Sequence, residues 1–553
     1  MRKIFLSILI LSLFSYLAAD YQEQVQNILD NIEIQSKKYK NSDLHNSIRE
    51  NKPTREYEVG DTETFWKWSF DVMPPTWQQS QATCRAVGEH CYLFVADAQW
   101  NLNMNQEDVD SIMVYLEEQT LNSQEYGTIE MDTLSFGPIP DELDNDPKLI
   151  VFYSELGSYA GSVFDGYFSA YNQVTESEAQ QMNPPGHSNE CEMIYMTCHP
   201  LAPAEMMRIS VLSHELQHLI HWGQDIDEEI WLDEGCAELA MVYFGLPDPI
   251  TAFPSNPDNS LNDWQQQFAD YVKVMLYFTY LYEHYGQTNN LIYNLVSEEQ
   301  NGIESIAEQL YQNGITDDFY TIFRNWTIAN YLDEPDIYNG QFNYELLDLP
   351  NFASETTHSE FPVEFNDSIN PWAADYIRIY PEDAELELQF QSNFPVFITC
   401  LEMGSGVQTT VTQYPEDNQY ALTLPQLSEN YSKLILVLSN ASGEDISYEY
   451  SLTENSSTNN ELVYNETSLV KVLKNPVRGN KIFFNINSSV QQISKINIFN
   501  IKGQKIKTLS VGKNIQKIFW DRTDNNGKKV SSGIYLYNSN LSMGKVKRMI
   551  LVD

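Results

Sequence analysis

The spacing of apolar residues changes character several times along the 553-residue chain. Ile4 to Leu17 is a nearly continuous apolar run. Val25, Ile28, Leu29 and Ile32 then recur at helical spacing among polar neighbours. From 62 to 200, strand-like runs such as CYLFVAD, KLIVFYSEL and EMIYMT alternate with turn residues. Residues 203–222 carry a helical pattern, and Pro203 suits its first turn. Residues 263–285 predict a longer helix with an apolar stripe of Phe268, Tyr271, Val272, Met275, Phe278 and Tyr282, stopped by Gly286. Helical patterning runs on to about 332. From about 370 the period falls to two: YIRIYP, LELQFQS, FPVFITC, YALTL and KLILVLS read as short strands of a β-sandwich. A polar stretch, TENSSTNNELVYNETS, separates these from a last all-β segment at 470–553.

The pattern divides the chain into 1–19, 20–60, 61–355, 365–453, a linker at 454–469, and 470–553. The fold class is multidomain α+β: a mixed-sheet lobe plus a helical lobe, then two β-sandwiches. Arg2 and Lys3 before the first apolar run, with Ala18 and Ala19 after it, make 1–19 a secretory signal peptide. Its core is too short for a membrane span, which takes roughly 20 residues, and no later stretch is long and apolar enough. The mature chain is expected to be exported, without a stable membrane span. Whether 20–60 is a removed pro-segment or an N-terminal helix is open from sequence.

Charge sharpens the division. The net charge is −46, yet residues 470–553 hold 16 Lys+Arg against 3 Asp+Glu. The acidic remainder argues against nucleic acid as a partner, and the basic tail is a separate unit. Of the six cysteines, Cys84 and Cys91 flank a turn at Val87-Gly88-Glu89, so a local bridge is feasible there. Cys191 and Cys198 flank a strand whose extended ends would lie roughly 23 Å apart, beyond a bridge's reach. Cys236 and Cys400 fit as buried thiols. In the acid-rich run DELDNDP, calcium is an alternative, but Asx turns in a solvated loop account for it more simply. The same holds for Asp521, Asp524 and Asn525 before Gly527.

The chemistry concentrates in SVLSHELQHLIHW, residues 210–222. His214 and His218 lie four apart, one helical turn, so both imidazoles project from one face and can converge on one zinc ion. Glu215 between them completes H-E-x-x-H and is placed to act as general base. The flanks, from Met206 to Ile220, are strongly apolar. A buried Glu215 and two buried imidazoles are costly unless something pairs with them. WLDEG at 231–235 supplies a further carboxylate. His221 shares the face, but seven residues rise roughly 10.5 Å, too far for one ion to bridge it with His214. It is a polar neighbour of the ligands, not one of them. The metzincin pattern would need Gly at 221 and His at 224; the chain has His and Gln.

HELQH followed by WLDEG resembles the gluzincin zinc metallopeptidases, and within them secreted bacterial peptidases of the hyicolysin type. The likeness spans roughly 62–350 and is strongest over 203–245. It implies a gluzincin-like catalytic domain with one catalytic zinc held by His214, His218 and Glu234. Glu215 is then the general base. Fifteen residues separate His218 from Glu234, fewer than in the best-known members, which leaves Glu238 a rival ligand; its other role is to hold a ligand imidazole by its free N–H. The likeness also points to Tyr271 as an oxyanion stabiliser, against a plain core tyrosine on an apolar stripe. In the tail, NPVRGNKIFFNIN, INIFNIKGQKIKTL, WDRTDNNGKKVSSGIYLY and KRMILVD resemble, in that order, the Ig-like sorting domains read by the type IX (Por) secretion system. This implies export through the periplasm of a Gram-negative-type bacterium, to the medium or the cell surface.

The combined expectation is a secreted, monomeric zinc endopeptidase acting on protein or peptide substrates and engaging the secretion machinery through its tail. The competing expectation is a surface adhesin or glycan-binding protein whose peptidase-like domain is catalytically idle.

Overall fold

A computed structural model describes residues 55–553, apart from 142, 160–161, 382–384, 406–407, 426–430, 455–469, 473–476, 479–480, 487–493, 501–503, 512–516, 540–545 and 553. Four earlier positions, 28, 32, 35 and 36, are also described. The signal peptide and the linker expected at 454–469 therefore lie outside the described residues, except for Glu454. The four early positions are helical, and Ile32 and Ser36 are fully buried. Trp222 Nε1 donates to Ser36 Oγ at 2.8 Å.

The chain packs as two compact units. Of the described residues, one holds those up to Thr356 together with Ile369–Ile377 and Leu436–Asp445; the other holds those within Thr357–Ser368, Arg378–Ile435 and Ile446–Asp553.

The first unit is built on a six-stranded sheet. Its strands are β1 (Thr62–Ser69), β2 (Thr76–Val87), β3 (Cys91–Ala96), β4 (Leu149–Ser154), β5 (Gly166–Phe168) and β6 (Met193–Thr197), ordered β1-β2-β3-β4-β6-β5. β3, β4 and β6 are parallel to one another and every residue in them is buried. This is why they read as continuous apolar runs and not as alternating ones. β1 and β2 form an antiparallel hairpin, and β5 closes the other edge antiparallel to β6.

Two helices, α1 (Gln106–Glu117) and α3 (Met206–Gln224), pack on the sheet, and α2 (Thr128–Phe136), α4 (Ile230–Phe244) and α5 (Phe268–Leu281) build outward from them. α3 packs on α2 and α4, and α4 packs on α5. Two glycines shape this stack. At Gly235, a Cβ would lie 2.2 Å from Phe278 Cδ2, so α4 and α5 approach as closely as they do only because WLDEG ends in glycine. Gly245 ends α4 in the left-handed conformation, φ 101°.

Two helix starts differ from the sequence reading. α3 begins at Met206, capped at Glu205, three residues after Pro203. α5 begins at Phe268 and not at 263, because the Asp270 carboxylate takes the N–H groups of Gln265 and Gln267 at 2.9 and 3.0 Å and holds that stretch out of the helix.

All six cysteines are free and buried. The Cys84–Cys91 bridge is not made: the hairpin pairs Val87 with Tyr92 and Cys84 with Phe94, while Cys91 sits at the turn with its carbonyl taking Gly88 N–H. The DELDNDP loop makes its Asx hydrogen bonds, Asp144 to Asp146 N and Asp146 to Lys148 N, but it is not solvated: Asp144 and Asp146 are buried. Asp141, Asp144 and Glu192 bring carboxylate oxygens within 4.8 Å of one another.

In the second unit the runs LELQFQS and FPVFITC, expected as two strands, form one strand, Leu386–Met403. Its register against Asp417–Thr423 shifts between Gln391 and Val396, so the chain bends there instead of turning back. The last segment has two sheets, of three and five strands, around its own core of Ile482, Phe484, Ile496, Ile498, Trp520 and neighbours. Asp524 Oδ1 accepts from Asn526 N and Lys528 N beside Gly527 (φ 79°), the Asx arrangement expected. Among the described residues no helix is long and apolar enough to cross a membrane.

Candidate metal centre

α3 is held on three sides before any ligand is considered. Ser213 Oγ donates to the buried Asp132 of α2 at 2.9 Å. Ser210 Oγ donates to Leu246 O, beyond the end of α4, at 2.6 Å. Arg208 pairs with Asp165, the residue before the edge strand β5. The last contact fixes β5 against α3, and Phe168 N then donates to Glu215 Oε2 at 2.7 Å. The putting together of a backbone N–H and the Glu215 carboxylate is invisible to any side-chain motif.

His214 and His218 project from one face of α3 toward Glu234 in the second turn of α4. His214 Nε2 and His218 Nε2 are 3.0 Å apart. Glu234 Oε2 lies 3.4 Å from the first and 3.6 Å from the second. Both imidazoles are 12% exposed and Glu234 is 3% exposed. Four donors around zinc at ~2.0–2.1 Å lie about 3.3 Å from one another along the tetrahedron's edges. The three separations fit that figure. Glu234 Oε2 is also buried with no well-directed hydrogen bond of its own, an arrangement that is costly unless a cation meets it. The donor set, two imidazoles and one carboxylate, suits zinc.

The surrounding carboxylates hold the rings. Asp233 spans two histidines: its Oδ2 is 2.7 Å from His218 Nδ1 and its Oδ1 is 2.6 Å from His221 Nδ1. Glu238 Oε1 is 3.3 Å from His214 Nδ1. Each imidazole facing the centre through Nε2 is thus contacted by a carboxylate at Nδ1, which selects the tautomer whose Nε2 lone pair faces inward. His221 lies fully buried beside the site and contacts Asp233, not the ligand triad. Tyr271, near the start of α5, brings its ring centroid to 6.4 Å from that of His214, and Trp264 packs edge-on against Tyr271 at 4.9 Å.

The structure therefore gathers His214, Glu215, His218, Glu234, Glu238, His221 and Tyr271 into one region. Three contributors have no signal in a ligand motif. Asp233 lies inside WLDEG, immediately before Glu234, and that adjacency is its one sequence signal; Asp132 and Phe168 N–H come from elements distant in sequence.

Electrostatics follow from this crowding of carboxylates. Burial disfavours a charged His214, but Glu234 and Glu238 outweigh it and lift the imidazole to about 10. His218 is likewise raised, burial being overcome by Asp233 and Glu234. Burial opposes ionisation of Asp233 and Glu234, yet the imidazoles beside them hold both below the usual carboxylate range. In the absence of metal, protonated imidazole thus supplies the positive charge that the carboxylates require. A group whose folded value exceeds its unfolded 6.5 contributes its stability fully below pH 6.5 and loses it as pH rises through the folded value. Chelator-treated protein is accordingly expected to melt at lower temperature at pH 10 than at pH 6.5, by differential scanning calorimetry; a flat or rising profile contradicts this charge arrangement.

Asp233→Asn keeps the shape but weakens the hold on His218 and His221. Its expected effect is a loss of about 10–100-fold in zinc affinity, measured by competition with a chromogenic chelator. Unchanged affinity would show that Asp233 does not orient the ligands.

No family model matches this chain, and no curated protein matches it in sequence. Among solved structures it overlaps part of PorZ, an essential bacterial surface component of the type-IX secretion system of Porphyromonas gingivalis, at 17% identity over 21% of this chain and 15% of that one, TM-score 0.13. It also overlaps the adhesin domain of Epf from Streptococcus pyogenes, at 11% identity over 34% of this chain and 78% of that one, TM-score 0.13. A third overlap is with the PBSX exported protein XepA, at 12% identity over 34% and 81%, TM-score 0.13. At these TM-scores the overlaps carry no argument about what this chain does, and its chemistry rests on the site itself.

Proposed function

We propose that this chain is a zinc-dependent endopeptidase of the gluzincin type, secreted or displayed at the surface of a Gram-negative-type bacterium. One observation carries the reading: His214 Nε2, His218 Nε2 and Glu234 Oε2 stand 3.0–3.6 Å from one another, with the Glu215 carboxylate on the same helix. His214, His218 and Glu234 would hold the ion. Zinc, when bound, polarises a carbonyl and makes water acidic enough to attack it at neutral pH.

The chain's own groups do the rest. Glu215 has one oxygen occupied by Phe168 N–H and the other left to accept the proton of the attacking water. It then returns that proton to the leaving amine. β5 ends the sheet at this point, and Phe168 N–H points away from β6 toward Glu215. A polypeptide added as an extended strand along that free edge would pass beside the carboxylate, which favours a peptide over other hydrolysable substrates. Tyr271, its ring centroid 6.4 Å from that of His214, would be the group that steadies a developing oxyanion. Asp233 and Glu238 keep the ligand imidazoles aimed.

The competing reading, an idle peptidase-like domain on an adhesin, leaves the second Glu215 oxygen without a task. Metal analysis of the purified chain, with a casein or gelatin zymogram before and after chelation, separates the two. Bound zinc with chelator-sensitive clearing supports the peptidase, and metal-free or non-clearing protein supports the adhesin.

A further inference from the structure

The loop leading into α5 forms, with residues 370–372 and 443–445, a cavity of about 600 Å³ within the first unit. That volume is in the range of small-ligand sites, roughly 300–1,000 Å³. Its lining is unlike that of most such sites. Six of the lining side chains are amides: Asn256, Asn259, Asn262, Gln265, Gln267 and Asn370. Asp258, Asp263 and Asp445 add carboxylates, and the apolar contribution is confined to Pro371 and Trp372.

The walls are fixed from beneath. The Asp270 carboxylate accepts from Gln265 N, Gln267 N and Lys273 Nζ, the last at 2.7 Å. Lys273 Nζ also donates to Asn259 Oδ1 at 2.9 Å and Asp263 O at 2.6 Å, and both Asp270 and Lys273 are buried. Across the cavity, Asn370 N and Nδ2 each donate to Asp258 at 2.7 Å. Leu261 N donates to Trp372 O at 2.9 Å. The amides belong to this frame: Asn259 Nδ2 donates to Asp270 Oδ1, Gln265 Nε2 to Asp263 Oδ2 and Gln267 Nε2 to Gln265 Oε1, and Asn262 Oδ1 accepts from Ser260 Oγ, so each is held in a fixed orientation and offers a ligand its remaining N–H groups and lone pairs.

This lining selects by exclusion. No lysine or arginine lines the cavity, and Lys273 beneath it has three acceptors for its three N–H groups, so an anion finds no counter-charge. Among the described residues, the acidic and histidine groups that converge within 4.8 Å in threes do not include Asp258, Asp263 or Asp445, so no carboxylate cage for a cation is formed. An apolar ligand finds two side chains. What remains is a neutral molecule with many paired donors and acceptors, since planar amides and carboxylates match adjacent hydroxyls two at a time.

We propose that this cavity binds a neutral carbohydrate. Resting on the peptidase reading, we infer further that the sugar is one carried by the polypeptide substrate. Trp264, between the lining residues Asp263 and Gln265, packs against Tyr271, whose ring faces His214 at 6.4 Å. The loop that forms the cavity is thus linked to His214 through two successive ring contacts, and the proposal is that a glycosylated polypeptide engages both sites at once.

The test uses the full-length Glu215→Gln chain, which keeps glycoconjugates intact, on an array of neutral oligosaccharides ending in mannose, galactose, glucose or N-acetylglucosamine, followed by calorimetry. The expected result is saturable binding of at least one neutral sugar. Asn256→Trp, at an exposed lining position, and Asn262→Leu should each weaken it at least about tenfold without lowering the melting temperature. Should one variant fold poorly, the other decides. The proposal is overturned by the absence of any neutral-sugar binding, by binding that survives in a folded variant, or by binding only to sialylated glycans, calcium or unglycosylated peptide. Casein digestion by the wild-type chain is scored separately. Sugar binding without digestion sinks the peptidase reading alone, and digestion without sugar binding sinks this proposal alone.

Discussion

Glu215→Gln is expected to leave zinc in place and to lower the turnover of a denatured protein substrate by about 10²–10⁴-fold, the range that general acid–base catalysis contributes. The substitution is nearly isosteric. A glutamine carbonyl oxygen can still accept Phe168 N–H, so the edge strand should stay where it is. What is lost is the oxygen that takes a proton from water and returns it to the amine. Because the side chain is not one of the three converging donors, metal content should not fall. The measurement is kcat on casein or gelatin alongside zinc stoichiometry in the same preparation. Full turnover with zinc still bound would remove Glu215 from the mechanism. Lost turnover accompanied by lost zinc would show that the residue acts on the site's structure.

The elements that carry this chemistry were legible in the sequence because they rest on local periodicity. Four-residue spacing places His214 and His218 on one helical face wherever the helix begins, so the late start of α3 at Met206 changes nothing at the site. The exclusion of His221 as a ligand follows from rise per residue in the same way. The pairs joining distant segments were not legible. Phe168 N–H meets Glu215 where β5 is held both by β6 and by the Arg208–Asp165 pair to α3, and nothing in the pattern of either segment states that. Asp233 was passed over because its neighbour Glu234 had the motif's role, although the two carboxylates contact opposite nitrogens of His218. The β errors have the same origin. The hairpin register, Val87 opposite Tyr92, sets Cys84 three residues up the strand from the turn and out of reach of Cys91, and a register shift after Gln391 decides whether a polar stretch is a turn or a bend. Both are settled by partner strands. Asp144 and Asp146, which are buried, read as solvated because composition reports charge and not enclosure.

Glu234 and Glu238 stand one turn apart on α4, and sequence alone leaves either as the third ligand. The structure separates them by the nitrogen each one approaches. Glu234 Oε2 is near both Nε2 atoms, whereas Glu238 Oε1 is near His214 Nδ1, on the opposite edge of the ring. An ion shared by two Nε2 atoms cannot also take a carboxylate at Nδ1 of the same ring, so the two glutamates have different tasks. Losing an outer partner of a ligand imidazole costs about 10–100-fold in metal affinity, and that is the expected effect of Glu238→Ala. Glu234→Ala removes one of three donors and should cost more than about 100-fold, leaving the purified chain essentially without zinc and without activity. Circular dichroism guards against the trivial outcome, since Gly235 and Phe278 beside this turn pack tightly enough for a disturbed α4 to be visible. Zinc retained in Glu234→Ala but lost in Glu238→Ala reverses the assignment. It would require the His214 ring to turn so that Nδ1 faces the ion, and the contact between Asp233 and His218 would then be the remaining anchor of the site.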